Sequence, residues 1–258
     1  MMKTIVLILA CATASLASPL DVDPLYSWRV VGGSTASAGQ YPFIISLRTI
    51  FNSHTCGGSL IANNWVVTAA HCVYNSSPSS YSVVAGINQL NSNSGVQVGV
   101  AEIIVHPNYN QNLIINDIAL LRLSSSIAES NLIKIIELES ENVADPRDCV
   151  LIGWGRTSYP GSIPNDLQHL PLKSVPYEQC KNAWINQEGT ILESEICTLT
   201  QRGQGACHGD SGGPLISQDG GNAKLIGLVS WGSPCAVGMP DVYTRVSAFR
   251  DWIAQNIN

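Results

Sequence analysis

The chain predicts an all-β protein closed by one C-terminal helix, and three observations carry that reading. Short segments rich in Val, Ile and Leu recur between clusters of Gly, Pro, Asn and Ser. Only the last stretch has a helical period, with Val246, Phe249, Trp252 and Ile253 spaced i, i+3, i+6 and i+7. Neither a repeat period nor a low-complexity linker stands out. At 258 residues the chain is long enough for one large β domain or two smaller ones, and length alone does not choose between them.

In chain order, the first element is not part of the fold. Met1-Met2-Lys3, an apolar run from Ile5 to about Ala14 and the small residues Ser15-Leu16-Ala17 read as a secretory signal peptide cut after Ala17. The run is too short to span a bilayer and lacks the polar face that a buried amphipathic helix would show. The strand-like segments then follow: Phe43 to Leu47, Ser59 to Thr68, Tyr81 to Ala85, Val96 to Val105, Ile118 to Leu123, Val150 to Gly153, Leu225 to Ser230 and Val242 to Val246. Each is bounded by turn-forming residues. The terminal helix, apolar on one face, should pack on the core as a lid.

Charge is sparse, at 12% of residues with a formal net of −6 and no Lys/Arg cluster, which argues against nucleic acid and anionic membrane as partners. Of eight cysteines, Cys11 leaves with the signal peptide and seven remain, an odd number. No Cys-x2-Cys or His-x3-His spacing occurs, so no metal is expected, and nothing calls for a cofactor. Asn75-Ser76-Ser77 is an N-glycosylation sequon, although Pro78 directly after it argues against its use.

The most informative stretch is Gly209-Asp210-Ser211-Gly212-Gly213-Pro214. A packed helix or strand would not choose a serine among glycines, whereas a nucleophile needs a sharp backbone turn and close approach of a carbonyl to main-chain N–H groups. A serine hydroxyl also needs a base, and the base a partner that fixes its tautomer. His71, in Thr68-Ala69-Ala70-His71-Cys72, follows an apolar run with only small residues beside it. Asp117, in Asn116-Asp117-Ile118-Ala119-Leu120-Leu121, heads another apolar run, where a carboxylate is partly buried and aimed at a neighbour.

From Val30 to the C-terminus the chain resembles the secreted serine proteases of the chymotrypsin/trypsin family. The resemblance rests on Val30-Val31-Gly32-Gly33, Cys56-Gly57-Gly58-Ser59-Leu60, the blocks around His71 and Asp117, Gly153-Trp154-Gly155, the Ser211 loop and Ser230-Trp231-Gly232, all in the family's order. It implies two six-stranded antiparallel Greek-key barrels that meet near residues 135–145, with the site in the cleft between them. It implies His71, Asp117 and Ser211 as the catalytic triad, and the N–H groups of Gly209 and Ser211 as the oxyanion hole. It also implies disulfides Cys56 with Cys72, Cys180 with Cys197, and Cys207 with Cys235. Cys149 is left over, because Ser217 stands where many relatives have its partner, and a buried free thiol is expected.

The same resemblance makes residues 18–29 an activation propeptide and 30–258 the protease domain. A trypsin-like activator would cut after Arg29, freeing the Val30 amine to pair with Asp210. The specificity pocket would have Gly205 at its floor, Ser230, Trp231 and Gly232 along its wall, and Asp241 where most relatives have glycine. That departure is similar to arthropod collagenolytic proteases, which accept apolar and basic side chains; the alternative is an Asp in a surface turn. The family further implies protein or peptide substrates, protein protease inhibitors, a monomer and an extracellular location. The stretch from Gly86 to Gly99 lacks acids, which argues against the calcium loop of some relatives, and His208 should border the cleft.

Overall fold

In the structure, a computed structural model, residues 30–141, 145–186, 189–199, 201–217, 222–233 and 235–257 are described. The expected signal peptide and propeptide, residues 1–29, lie outside them. Six strands close the first barrel: β2 (Ile44–Thr49), β3 (His54–Ala62), β4 (Trp65–Thr68), β5 (Tyr81–Ala85), β6 (Val96–Val105) and β7 (Ala119–Leu123), in the order β2-β3-β4-β7-β6-β5. All neighbours are antiparallel, and the pairing of β2 with β5, Ile45 opposite Ala85, completes the ring. The single long run expected from Ser59 to Thr68 is two strands, because Asn63 and Asn64 turn the chain between β3 and β4.

The second barrel repeats the topology with β9 (Asp148–Gly153), β10 (Gln168–Val175), β11 (Glu195–Thr198), β12 (Pro214–Ser217), β13 (Lys224–Trp231) and β14 (Asp241–Arg245), closed by pairing of β9 with β10. Two short strands join its edges: β1 (Ser34–Thr35) on β10 and β8 (Glu137–Leu138), parallel, on β13. The chain changes barrels at β8, since Ile136 N–H still binds Leu60 of the first barrel while Glu139 N–H binds Leu225 of the second.

Period-two alternation explains where the cores sit. Ile45, Leu47, Val83, Ala85, Val98, Val100, Leu121 and Leu123 fill the first barrel; Leu151, Leu170, Leu172, Ile196, Leu215, Ile226 and Tyr243 fill the second. The alternate positions Ile44, Val67, Val84, Leu120, Ile152, Ile216 and Leu228 face outward, yet they are buried together, because this is where the barrels press on one another. Each such aliphatic side chain contributes about 1.5–3 kcal/mol on burial. The terminal helix starts as a 3-10 turn (Val246–Phe249) and continues as α2 (Arg250–Asn256), laying Phe249 and Ile253 into the same interface.

A second helix, α1 (Tyr177–Trp184), was not expected, since its sequence buries only Cys180 and Trp184, four residues apart. A disulfide ties α1 to β11 through Cys180–Cys197, another joins β3 to the His71 turn through Cys56–Cys72, and the third, Cys207–Cys235, ties the Ser211 loop to the segment after β13. Cys149 is free and buried, and burial pushes its thiol up to about 12. It stands opposite Ser217 across β9 and β12.

Candidate active site

His71 lies in a 3-10 turn (Ala70–Cys72) three residues past the end of β4, and Asp117 two residues before β7. Since β4 and β7 are paired with Thr68 opposite Ala119, the two side chains emerge from one end of the first barrel. Asp117 Oδ2 accepts from His71 Nδ1 at 2.7 Å, and Asp117 Oδ1 accepts the backbone N–H of His71 at 2.8 Å. The carboxylate is 1% exposed and the imidazole side chain 27%. A carboxylate only accepts, so Nδ1 carries a proton, and in the neutral ring Nε2 is the nitrogen that offers a lone pair. Nε2 has no hydrogen-bond partner among the described residues.

The second barrel contributes to the same carboxylate. Ser230 Oγ donates to Asp117 Oδ2 at 2.6 Å, and Thr244 Oγ1 donates to the Asp117 backbone carbonyl at 2.7 Å. The Ser211 loop is pressed against the His71 end of the first barrel: Gly57 N–H binds Ser211 O at 2.8 Å. Glycine is required at 212, where φ is +71° and a Cβ would strike Thr68 Oγ1 at 2.1 Å and Ala69 N at 2.9 Å.

Gly209, at φ +103°, turns the loop so that neither its N–H nor that of Ser211 finds a partner among the described residues. Two unpaired donors on either side of Asp210 are what a developing oxyanion needs. The Gly209 carbonyl is held from behind by His54 Nε2 at 3.0 Å, and His54 Nδ1 accepts from Ser46 Oγ at 2.8 Å. Burial first of all pushes His54 down to about 4, so the ring is neutral. No sequence signal marked His54, an isolated histidine two residues before Cys56.

Asp210 is fully buried, and its carboxylate accepts the N–H groups of Gly155 at 2.7 Å and Cys207 at 3.0 Å. Desolvation raises its pKa to about 7. Val30 is fully buried among the side chains that fill the second barrel, and Val31 O accepts Gly205 N–H at 3.1 Å, so the segment after Arg29 rests on the strip leading to Asp210.

A pocket of about 200 Å³ opens beside Ser211, lined by Ala206, His208, Ser230, Trp231, Gly232 and Asp241 among others. Larger cavities, of about 330 and 450 Å³, hold no histidine or cysteine, so chemistry and not size selects this one. Asp241 is 6% exposed; its Oδ2 accepts Ala206 N–H at 2.7 Å, and burial raises its pKa to about 7. It is therefore no surface-turn residue. Gly205 lies against it, where a Cβ would meet Oδ2 at 2.3 Å, and a Cβ on Gly232 would come within 3.2 Å of Oδ1. His208 is exposed at the pocket's edge with its ring 5.9 Å from Tyr159. Cys56, His71 and Cys72 have metal-like spacing, but the two cysteines are joined to each other.

Twin barrels with a histidine–aspartate pair from one and a glycine-bound serine from the other define a class, the serine-type endopeptidases. The family model for Trypsin matches residues 30–253. Chymotrypsin-2 of Vespa crabro is 44% identical over 229 residues, 88% of this chain and 99% of that protein. Trypsin alpha-4 of Lucilia cuprina is 41% identical over 255 residues, 98% of this chain and 97% of its own. Trypsin-1 of Astacus astacus is 38% identical over 237 residues, 88% and 99% of the two chains. The chain belongs to the trypsin family of serine proteases. Among the described residues no helix is long and apolar enough to cross a membrane.

Proposed function

We propose that this endopeptidase is secreted as a zymogen, matures by a cut after Arg29, and cleaves after apolar and basic residues through Ser211. The observation that carries the reading is the His71–Asp117 pair beside two unpartnered N–H groups, those of Gly209 and Ser211.

In the proposed cycle Ser211 Oγ attacks the scissile carbonyl while His71 Nε2 takes its proton; Asp117 holds the Nδ1 proton and stabilises the imidazolium. The carbonyl oxygen, now negative, is held by the Gly209 and Ser211 N–H groups, each worth about 3 kcal/mol in such sites. His71 then gives the proton to the leaving amine, and water attacks the acyl-enzyme by the same route in reverse.

The switch reading rests on Asp210. A fully buried carboxylate raised to about 7 is a poor structural device, but it suits an incoming ammonium. After the cut, the Val30 amine would pair with Asp210 and fix the loop that carries Gly209 and Ser211. The partners on this reading are protein or peptide substrates, a trypsin-like activator and protein inhibitors, met by a monomer outside the cell.

The pocket sets the side-chain preference. Gly232 on the wall leaves room for Phe, Tyr and Leu, Gly205 packs against Asp241, and Asp241 supplies a carboxylate for Arg or Lys. The test is cleavage-site profiling of the activated enzyme and of Asp241→Gly. The variant should lose about tenfold or more in kcat/KM after Arg and Lys, while apolar substrates hold or improve. Wild-type enzyme that never cuts after Arg or Lys would leave a chymotrypsin-like protease with no role for Asp241.

A further inference from the structure

Glu195 opens β11 and is 4% exposed, a carboxylate buried at a strand position that an apolar side chain would fill at lower desolvation cost. Burial is the first cause of its raised pKa. Both of its oxygens are used. Oε2 accepts the backbone N–H of Leu192 at 2.8 Å, and Oε1 accepts the indole N–H of Trp231 at 3.0 Å.

Among the described residues, the Trp231 ring is otherwise held only by contact. Its ring meets that of Trp184 edge-on, 4.8 Å between centroids at 63°, and Gly189 lies so close that a Cβ there would come within 2.8 Å of Trp231 Cη2. Such packing fixes the plane of a ring but leaves it free to slide in that plane, whereas one hydrogen bond at the indole nitrogen fixes its position. The consecutive residues Ser230 and Trp231 are thus pinned to two buried carboxylates, Ser230 to Asp117 of the triad and Trp231 to Glu195.

We infer that Glu195 is a positioning residue for the specificity pocket: through the Trp231 indole N–H it fixes one wall of the pocket that takes the residue before the scissile bond. The inference rests on the proposed reading of the cleft, in which Trp231 touches substrate. Glu195 itself touches none. Its removal should weaken binding that is equal in the ground and transition states, and so raise KM and leave kcat.

The experiment compares two peptides of one length that differ only in the residue before the scissile bond, Phe, which reaches the pocket wall, and Ala, which does not. For the Phe peptide, Glu195→Ala should raise KM about tenfold with kcat within about twofold of wild type, and for the Ala peptide neither should move. The near-ultraviolet circular dichroism of the Trp184–Trp231 pair should change as well. Glu195→Gln, which keeps a carbonyl acceptor for the indole, should bring the Phe-peptide KM back to within about threefold of wild type.

Should the alanine variant not fold, Glu195→Leu, which fills the strand position but offers the indole no acceptor, is compared alone and together with Trp231→Phe. With the indole N–H gone, changing Glu195 should add nothing to the Phe-peptide KM. Additive effects, or equal losses on the Phe and Ala peptides, would make Glu195 a structural residue only and overturn the inference. A wild-type enzyme inert toward both substrates would instead refute the reading of the cleft.

Discussion

The two barrels share one strand order but differ in what they bury. In the first, among the described residues, the buried charged side chains are Arg48 and Asp117, beside the buried hydroxyls of Ser46, Ser59 and Thr68 in a mostly aliphatic interior. In the second, Glu139, Glu195, Asp210, Asp241 and Arg245 are all buried, and Asp145 lies in a close network with Arg147 and Arg245. The difference teaches a division of labour. The first barrel is a stiff holder for one histidine and one aspartate, while the second uses desolvated carboxylates to hold loops: Asp210 the Ser211 loop, Asp241 the pocket, Glu195 the Trp231 wall.

The largest expected effects cross that division. His71→Ala from the first barrel and Ser211→Ala from the second should each lower kcat by about 10⁴-fold or more with the fold intact, and the double variant should be little worse than either. Additive losses would mean that the barrels do not form one catalytic unit.

The next effect belongs to the second barrel alone. In the uncut chain Asp210 keeps its proton up to about pH 7, whereas unfolded it releases it near 3.8. The folded state then binds more protons between those values, so the contribution of Asp210 to precursor stability should be greatest below about pH 4 and fall as pH rises toward 7, by as much as about 4 kcal/mol, against the opposite contribution of neutral His54. Asp210→Asn should remove this contribution in denaturant titrations and leave that of Asp241, also raised to about 7, in place; an unchanged slope would remove Asp210 from the account.

Ser217→Cys should sharpen the contrast next. Ser217 Oγ is buried without a partner among the described residues and faces Cys149 across the sheet, so a disulfide should form and add about 4 kcal/mol on the chain-entropy view. A free-thiol count of two after oxidation would show that the side chains do not meet. The smallest change is Leu121→Ala in the first barrel, which should cost about 3 kcal/mol of stability and leave the preference for apolar over basic residues untouched. A shift in that preference would show that the first barrel tunes the pocket.

The strands of the first barrel were legible because each is a run of apolar or alternating residues between turn formers. The second barrel was harder to read. β10 carries Pro171 and Lys173, β11 starts at Glu195, and β12 is only four residues, so pattern gave no sign of them. The His71, Asp117 and Ser211 segments stood out because their glycines and small residues serve no packing need. His54 and Glu195 could not be found, since each acts through one hydrogen bond to a residue far away in the chain, at sequence separations of 155 and 36. Sequence spacing placed Asp241 near the pocket, but its contact with Ala206 N–H and its burial belong to the folded chain.

The most direct test of the whole account is the site of covalent labelling. Chain cut after Arg29 is treated with a fluorophosphonate, which transfers its phosphonyl group to an activated serine and releases fluoride, and the adduct is located by peptide mass mapping. The account predicts one adduct per chain, on Ser211, formed slowly or not at all before the cut and absent from Ser211→Ala. An adduct on another serine, or Ser211→Ala protein that still hydrolyses peptides, would contradict it.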